Sequence, residues 1–177
     1  EVIIVSSGAI ASGMRILKMK SRPRDLSSLQ AVAAVGQHLL MSQYRRFFDK
    51  KGLKLIGLKM TRLTDETLND WYAHHKDKPF FKNLKQFMQS DPIVAMVWEG
   101  LEAVQAVRLM CGVTRGSQAE PGSIRGDFGL SQQYNLIHAS DSVDSAKKEI
   151  GLLFSADEIF EYKKGEYSYL YSEEERA

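Results

Sequence analysis

The chain has 177 residues, 44% apolar and 26% charged, enough for one domain with a real core and suited to a soluble globular protein. Lys and Arg number 24 against 22 Asp and Glu, and a net charge of +2 gives no ground for a nucleic-acid or membrane partner. Cys111 is the only cysteine, so no internal disulfide can form and a reducing, cytoplasmic setting is expected. No apolar run approaches the roughly 20 residues of a membrane span. Val2-Ile3-Ile4-Val5 is too short for a signal peptide and has no basic segment before it. The first residue is Glu rather than Met, which reads as an incomplete frame or a processed product.

Residues 2–5 are all β-branched and predict a buried strand. Ser6 to Gly13 then forms a small-residue turn into a helix, which suits either anion binding on backbone N–H groups or close packing of helix on strand. It is not a P-loop, because no Gly-Lys-Ser/Thr follows. Lys18 to Arg24 is a basic linker. From Asp25 a long helix is expected, with Leu26, Leu29, Val32, Ala33, Gly36, Leu40, Tyr44 and Phe47 at helical spacing, ended by Gly52. Leu53 to Met60 predicts a strand. Thr64 or Asp65 can cap a helix that turns Leu68, Trp71, Tyr72 and His75 to one face. His74-His75 does not make a metal site, since neighbours on a helix diverge and no third ligand is at hand. Pro79 opens another helix, with Phe80, Leu84, Phe87 and Met88 inward. Ile93 to Trp98 is a strand, and Glu102 to Cys111 a helix stopped by Gly112.

Residues 113–134 are Gly- and Pro-punctuated with little periodicity, and a loop of that length in a compact domain is usually functional or disordered. Val143, Ala146, Ile150 and Leu153 predict a last helix. Glu158 to Tyr162 is strand-like, and the tail from Lys163 is a surface extension. Strand, helices, strand, helix, loop, strand, helix from Gly52 onward fits a ferredoxin-like α+β sandwich with an antiparallel sheet, provided one more strand stands ahead of the long helix. Residues 2–5 are the only upstream candidate.

The stretch Asn135-Leu136-Ile137-His138-Ala139-Ser140-Asp141-Ser142 is the most chemically suggestive. A short apolar run delivers one histidine to the end of an extended segment, and Ser-Asp-Ser opens a helix. His138 is then expected at a turn, near the positive end of a helix dipole where anions bind. A neutral imidazole there can attack phosphorus and carry a phosphoryl group. An ordinary surface histidine fits the same eight residues.

Two resemblances add to this reading. Lys51-Gly52-Leu53-Lys54-Leu55-Ile56-Gly57-Leu58-Lys59-Met60, Tyr72-Ala73-His74-His75-Lys76-Asp77-Lys78-Pro79-Phe80-Phe81, Ser123-Ile124-Arg125-Gly126-Asp127-Phe128 and the His138 stretch stand in order. Residues 48–162 thereby resemble a nucleoside diphosphate kinase. Residues 1–47 resemble a fragment of glutamate 5-kinase instead, through Val2 to Gly13 and Leu29-Gln30-Ala31-Val32-Ala33-Ala34-Val35-Gly36-Gln37. That enzyme's nucleotide-binding half has no counterpart here. The expected division is therefore 1–47, 48–162 and a C-terminal extension 163–177.

The kinase resemblance implies a ping-pong transfer of the γ-phosphate of a nucleoside triphosphate such as ATP to His138, and from there to a nucleoside diphosphate. An imidazole of reference pKa about 6.5 can be neutral for that attack near pH 7. Ser140 and Glu149 match residues that orient the imidazole. Arg108, Arg125, Thr114 and Tyr72 match residues around the phosphates. Phe80 and Leu84 match an apolar shelf under the base, and Asn135 a residue that reads the sugar. Mg²⁺ would bridge phosphate oxygens with few protein ligands of its own. A homo-oligomer, hexamer or tetramer, is implied. Departures are also visible. Arg115-Gly116 follows Thr114 where Asn-Pro is usual. Gln132 lies near an apolar clamp position, and Gln133-Tyr134 precedes Asn135 in place of Gly-Arg. The family's first strand ends in a lysine that touches the transferred phosphate; counting back from the matched motifs puts its place near Val32, where no lysine stands. Losing one such charge typically costs roughly 10²–10³ in rate, so the activity is expected to be reduced, with a nucleotide-binding or oligomeric module, or after it a glutamate 5-kinase fragment, as the alternatives.

Overall fold

The computed structural model describes residues 1–6, 9–49, 51–163 and 172–176. Four strands, β1 (Val2–Ser6), β2 (Lys54–Thr61), β3 (Ile93–Glu99) and β4 (Ile137–Ala139), form one sheet in the order β2-β3-β1-β4. Every pairing is antiparallel. With helices packed on the sheet, this is a ferredoxin-like α+β fold.

The β-branched run that predicts a buried strand lies in the middle of the sheet. Val2 to Ser6 pairs with Trp98 to Val94 on one side, and Ile4 to Ser6 with Ala139 to Ile137 on the other. Alternation along β1 divides its side chains between two cores. Val2 and Ile4 face a cluster with Val32, Ala33, Tyr44, Phe48 and Trp98, whereas Ile3 and Val5 face one with Leu68, Trp71, Leu153 and Phe154. A strand buried on both faces needs consecutive apolar residues, and Val2 to Val5 supply them.

The first face is covered by α1 (Ala9–Ile16), α2 (Leu26–Asp49), α5 (Ala103–Cys111) and the short α6 (Ile124–Phe128). Gly13 lets α1 cross α2 closely, since a β-carbon there would collide with the Val32 carbonyl oxygen. The predicted stripe of α2 holds for Val32, Ala33 and Tyr44, but Leu26 in the first turn is exposed. The Leu40 and Phe47 side chains lie outside the described residues. Phe48 is fully buried against Trp98, ring centroids 4.7 Å apart. Cys111 is also fully buried, and burial pushes its thiol up to about 11 against the opposing pull of Arg125 and Arg108.

The second face carries α3 (Asp65–Trp71), α4 (Phe81–Gln89) and α7 (Val143–Leu153). Thr64 and Ser142 cap α3 and α7 by accepting the Thr67 and Ser145 N–H groups. Two sequence expectations are corrected. Val32, the counted-back place of the lysine, lies in α2 and is buried in the core; the middle strand ends instead at Ser6. The shift arises because the segment before β2 is a long helix rather than a strand. Glu158 to Tyr162 is not a strand. A 3-10 turn at Ala156–Glu158 leads into an irregular stretch anchored to β2, the Phe160 N–H donating to the Ile56 carbonyl at 2.8 Å and Tyr162 Oη to the Leu55 carbonyl at 2.8 Å. The anion-binding reading of the turn after β1 falls on Ser7 and Gly8, which lie outside the described residues.

Candidate active site

β4 is only three residues long, and His138 is its centre, opposite Val5 of β1. The histidine therefore stands within the sheet rather than at the turn that follows it, and α7 begins only at Val143. Its side chain is 27% exposed. Nε2 lies 3.0 Å from Oε1 of Glu149. In the neutral ring, a carboxylate partner at Nε2 draws the proton to that nitrogen and leaves the lone pair on Nδ1.

Glu149 is held by three donors. Besides His138, Trp71 Nε1 donates to Oε1 at 3.0 Å and Ser140 Oγ donates to Oε2 at 2.6 Å. Burial alone pushes this carboxyl up; the hydrogen bonds and charge of His138, with those of Ser140 and Trp71, outweigh it and hold the pKa below the ordinary value. Ser140 is fully buried and accepts the Ile3 N–H at 3.3 Å.

His138 opens onto a cleft of about 760 Å³. Tyr72, Phe80, Leu84, Arg108, Thr114, Arg125, Asn135 and Glu149 all line it together with His138. Of the residues singled out in the sequence, only Ser140 stands behind the wall rather than in it. Phe80 is exposed, so it is not the core residue that helical spacing alone suggests. The two arginines and Thr114 line the same cleft.

Arg125 is buried despite its charge. Nη1 donates to the Gly112 carbonyl at 2.6 Å, Nε to the Asn135 carbonyl at 3.3 Å, and Nη2 to the Ile137 carbonyl. Three main-chain segments thus meet on one guanidinium, which has five N–H groups and keeps two beyond these bonds. Arg108 Nη1 donates to the Ala139 carbonyl at 3.4 Å. Gly112 closes α5 at φ 80°, a left-handed value, where a β-carbon would collide with the Ser123 hydroxyl. Asn135 Nδ2 donates to the Gln132 carbonyl at 2.8 Å, and Arg115 Nη2 to Gln132 Oε1 at 2.8 Å. The departures at Arg115 and Gln132 thus contact each other at the cleft rim.

Sequence reasoning missed the part played by Trp71, which helical spacing assigns merely to a packed face. A buried indole N–H needs an acceptor, and that requirement was the available signal. Asp141 and Lys148 also line the cleft and were not singled out.

Residues 32–159 match the family described as nucleoside diphosphate kinase. A relative of that name from Parabacteroides distasonis is 47% identical over 128 residues, 72% of this chain and 84% of the relative. Human nucleoside diphosphate kinase A is 43% identical over 135 residues, 76% of this chain and 89% of the relative. Among solved structures, a halophilic nucleoside diphosphate kinase from Halobacterium salinarum in complex with CDP superposes with a TM-score of 0.76 at 32% identity, over 97% of each chain. A nucleoside diphosphate kinase family protein from Babesia bovis superposes with the same TM-score, 0.76, at 29% identity. The chain is a phosphotransferase by class and belongs to the nucleoside diphosphate kinase family.

Proposed function

We propose that this chain moves the terminal phosphoryl group of a nucleoside triphosphate to a nucleoside diphosphate through a phosphohistidine at His138. One observation carries the reading: Nε2 of His138 lies 3.0 Å from Glu149 Oε1, and His138 lines the same cleft as both arginines, so in the neutral ring Nδ1 is the nitrogen with a lone pair to offer. The Nδ1 lone pair bonds to the γ-phosphorus. The bond from that phosphorus to the bridging oxygen breaks, its electron pair leaving on the diphosphate. The second diphosphate reverses these events with its own terminal oxygen, and Nε2 keeps its proton throughout. Glu149 offsets the positive charge the ring gains on attack. Arg108, the two remaining N–H groups of Arg125, and Thr114 receive the phosphates. Phe80 and Leu84 offer a shelf to the base, Asn135 stands toward the sugar, and Tyr72 flanks the transferred group. The CDP in the halobacterial relative supports a nucleotide in this cleft.

Mg²⁺ fits as an ion that arrives on the phosphates. Among the described residues no cluster of three His, Cys, Asp or Glu could cage a metal, whereas Asp141 lines the cleft and is kept low in pKa chiefly by its hydrogen bond with Ser145. When bound, the ion neutralises phosphate charge, and Asp141 would face it.

Residues 1–47 serve this reading as scaffold, because β1 pairs on both sides within the sheet; the matches to known proteins lend no support to a glutamate 5-kinase fragment. The stretch Val2–Ser6 carries no lysine, so transfer is slower than a complete site would allow, by roughly 10²–10³. Exposed Leu109, Val113, Phe128 and Leu130 support a homo-oligomer, and the single buried thiol suits a cytoplasmic setting. Among the described residues no helix is long and apolar enough to cross a membrane.

The test is incubation with γ-labelled ATP. An acid-labile label on the wild type that disappears in His138→Ala, and that unlabelled diphosphates discharge, is the expected result. Thermal stabilisation by ADP without any label would leave a binding module in place of the enzyme.

A further inference from the structure

Trp71 ends α3 on the face that meets α7, and it is 4% exposed. Its ring lies beside Tyr72, centroids 5.5 Å apart with planes at 18°. It also meets the His138 ring at a centroid distance of 5.0 Å, with the planes at 88°. The indole N–H donates to Oε1 of Glu149, the same oxygen that faces His138 Nε2. One side chain thus touches both members of the His–Glu pair, one by a hydrogen bond and the other by its ring.

We propose that Trp71 is a positioning residue for phosphoryl transfer, holding Glu149 and His138 in the single arrangement that keeps the proton on Nε2 and turns Nδ1 to the cleft. Two donors on Oε1 and one on Oε2 leave the carboxylate no second orientation of equal energy. Without the indole N–H, Glu149 is fixed only by Ser140 and by the imidazole it is meant to orient. The carboxylate can then turn, and the ring can turn with it. The right-angle ring contact is the geometry that aromatic pairs prefer and adds a steric stop. Because Trp71 belongs to a helix capped by Thr64, the stop is tied to the scaffold rather than to a loop.

The proposal rests on His138 as the phosphoryl acceptor, so its test includes a measurement that needs no turnover. Trp71→Phe keeps a ring and removes the donor. If the smaller ring disturbs folding, benzothienylalanine at position 71 keeps the bicyclic shape with sulfur in place of N–H. Two readouts are taken on the full chain. In imidazole ¹⁵N spectra, with His138 assigned by its loss in His138→Gln, the wild type shows one Nε2–H tautomer and the variant a mixture. In single-turnover labelling with γ-labelled ATP, the phosphorylation rate and kcat fall about three- to tenfold, the worth of one net hydrogen bond, while KM stays within twofold. An unchanged tautomer with an unchanged rate overturns the proposal. So does a rate loss accompanied by an equal KM rise with the tautomer intact, which is what packing alone predicts. If the wild type takes no label yet the tautomer shifts in the variant, the kinase reading fails while the positioning role of Trp71 stands.

Discussion

Ser140 joins the first strand of the sheet to the carboxylate of the site: its hydroxyl donates to Glu149 Oε2 at 2.6 Å while accepting the Ile3 N–H at 3.3 Å. The main chain repeats the link, because the Ser140 N–H donates to the Ile3 carbonyl at 3.3 Å. β1 thus continues its pairing one residue past β4 through a side chain.

Ser140→Ala removes both side-chain bonds at a buried position and leaves the Ile3 N–H without its hydroxyl acceptor. A buried donor left unsatisfied costs about 1–3 kcal/mol. Urea unfolding should show a loss of that size. Labelling of His138 should slow as well, since Glu149 loses the donor on Oε2. A stability loss with an unchanged labelling rate would mean that Ser140 serves the sheet alone.

Glu149 sets a pH dependence whose sign follows from its environment. Its folded pKa lies below the ordinary 4.5: burial opposes this, but the bonds from His138, Ser140 and Trp71 prevail. The stabilisation is therefore fully present above pH 4.5 and is lost as pH falls through the lower folded value. Glu149→Gln should be less stable than the wild type at pH 7, and the gap should narrow through the window below 4.5. Chemical denaturation of both proteins across that range measures it. A constant gap would show that the carboxylate contributes shape rather than charge.

Arg125 gathers the Gly112, Asn135 and Ile137 carbonyls on one planar fork. An ammonium cannot reproduce that geometry. Arg125→Lys should cost about 1–3 kcal/mol for each buried carbonyl left without a donor. It should also raise KM for nucleotide, because the three segments that meet there line the cleft. Calorimetry and steady-state kinetics on the same preparation separate the two effects. Equal loss in Arg108→Lys, where the guanidinium makes a 3.4 Å contact to the Ala139 carbonyl, would argue against the clamp.

Much of the fold was legible because it is local. Thr64 and Ser142 cap the helices their side chains predict, and the apolar run 2–5 reads as a buried strand. Its place between β3 and β4 was not legible, since Val2 pairs with Trp98 and Val5 with His138, and no periodicity reports partners so far away. The site divides in the same way. His138 stands out by its neighbours in sequence, and the arginines through motif likeness. Glu149 reaches the imidazole only through the packing of α7 on the sheet. Trp71 went unnoticed because a side chain on a packed helical face looks the same whether or not its N–H has a task. Val32 misled because counting along a chain assumes that the segment counted has the same secondary structure in both proteins.

If β1 is an inner strand of the sheet rather than an appendage, damage at the α1–α2 crossing should unfold the whole protein in one step. Gly13→Ala places a β-carbon against the Val32 carbonyl, a main-chain atom that cannot swing aside. The expected loss is about 1–3 kcal/mol, the cost of overpacking. Gly151→Ala, on the exposed side of α7 with nothing within 4 Å of the new carbon, should instead stabilise by about 0.5–1 kcal/mol through helix propensity. The substitutions are chemically identical and differ only in the space around them, so opposite signs isolate packing. Thermal unfolding followed in the far ultraviolet and by near-ultraviolet tryptophan signals should give one coincident transition in each variant. A separate early transition in Gly13→Ala, with the tryptophan signal intact, would show that residues 1–47 fold apart from the sheet and would remove the scaffold role assigned to them.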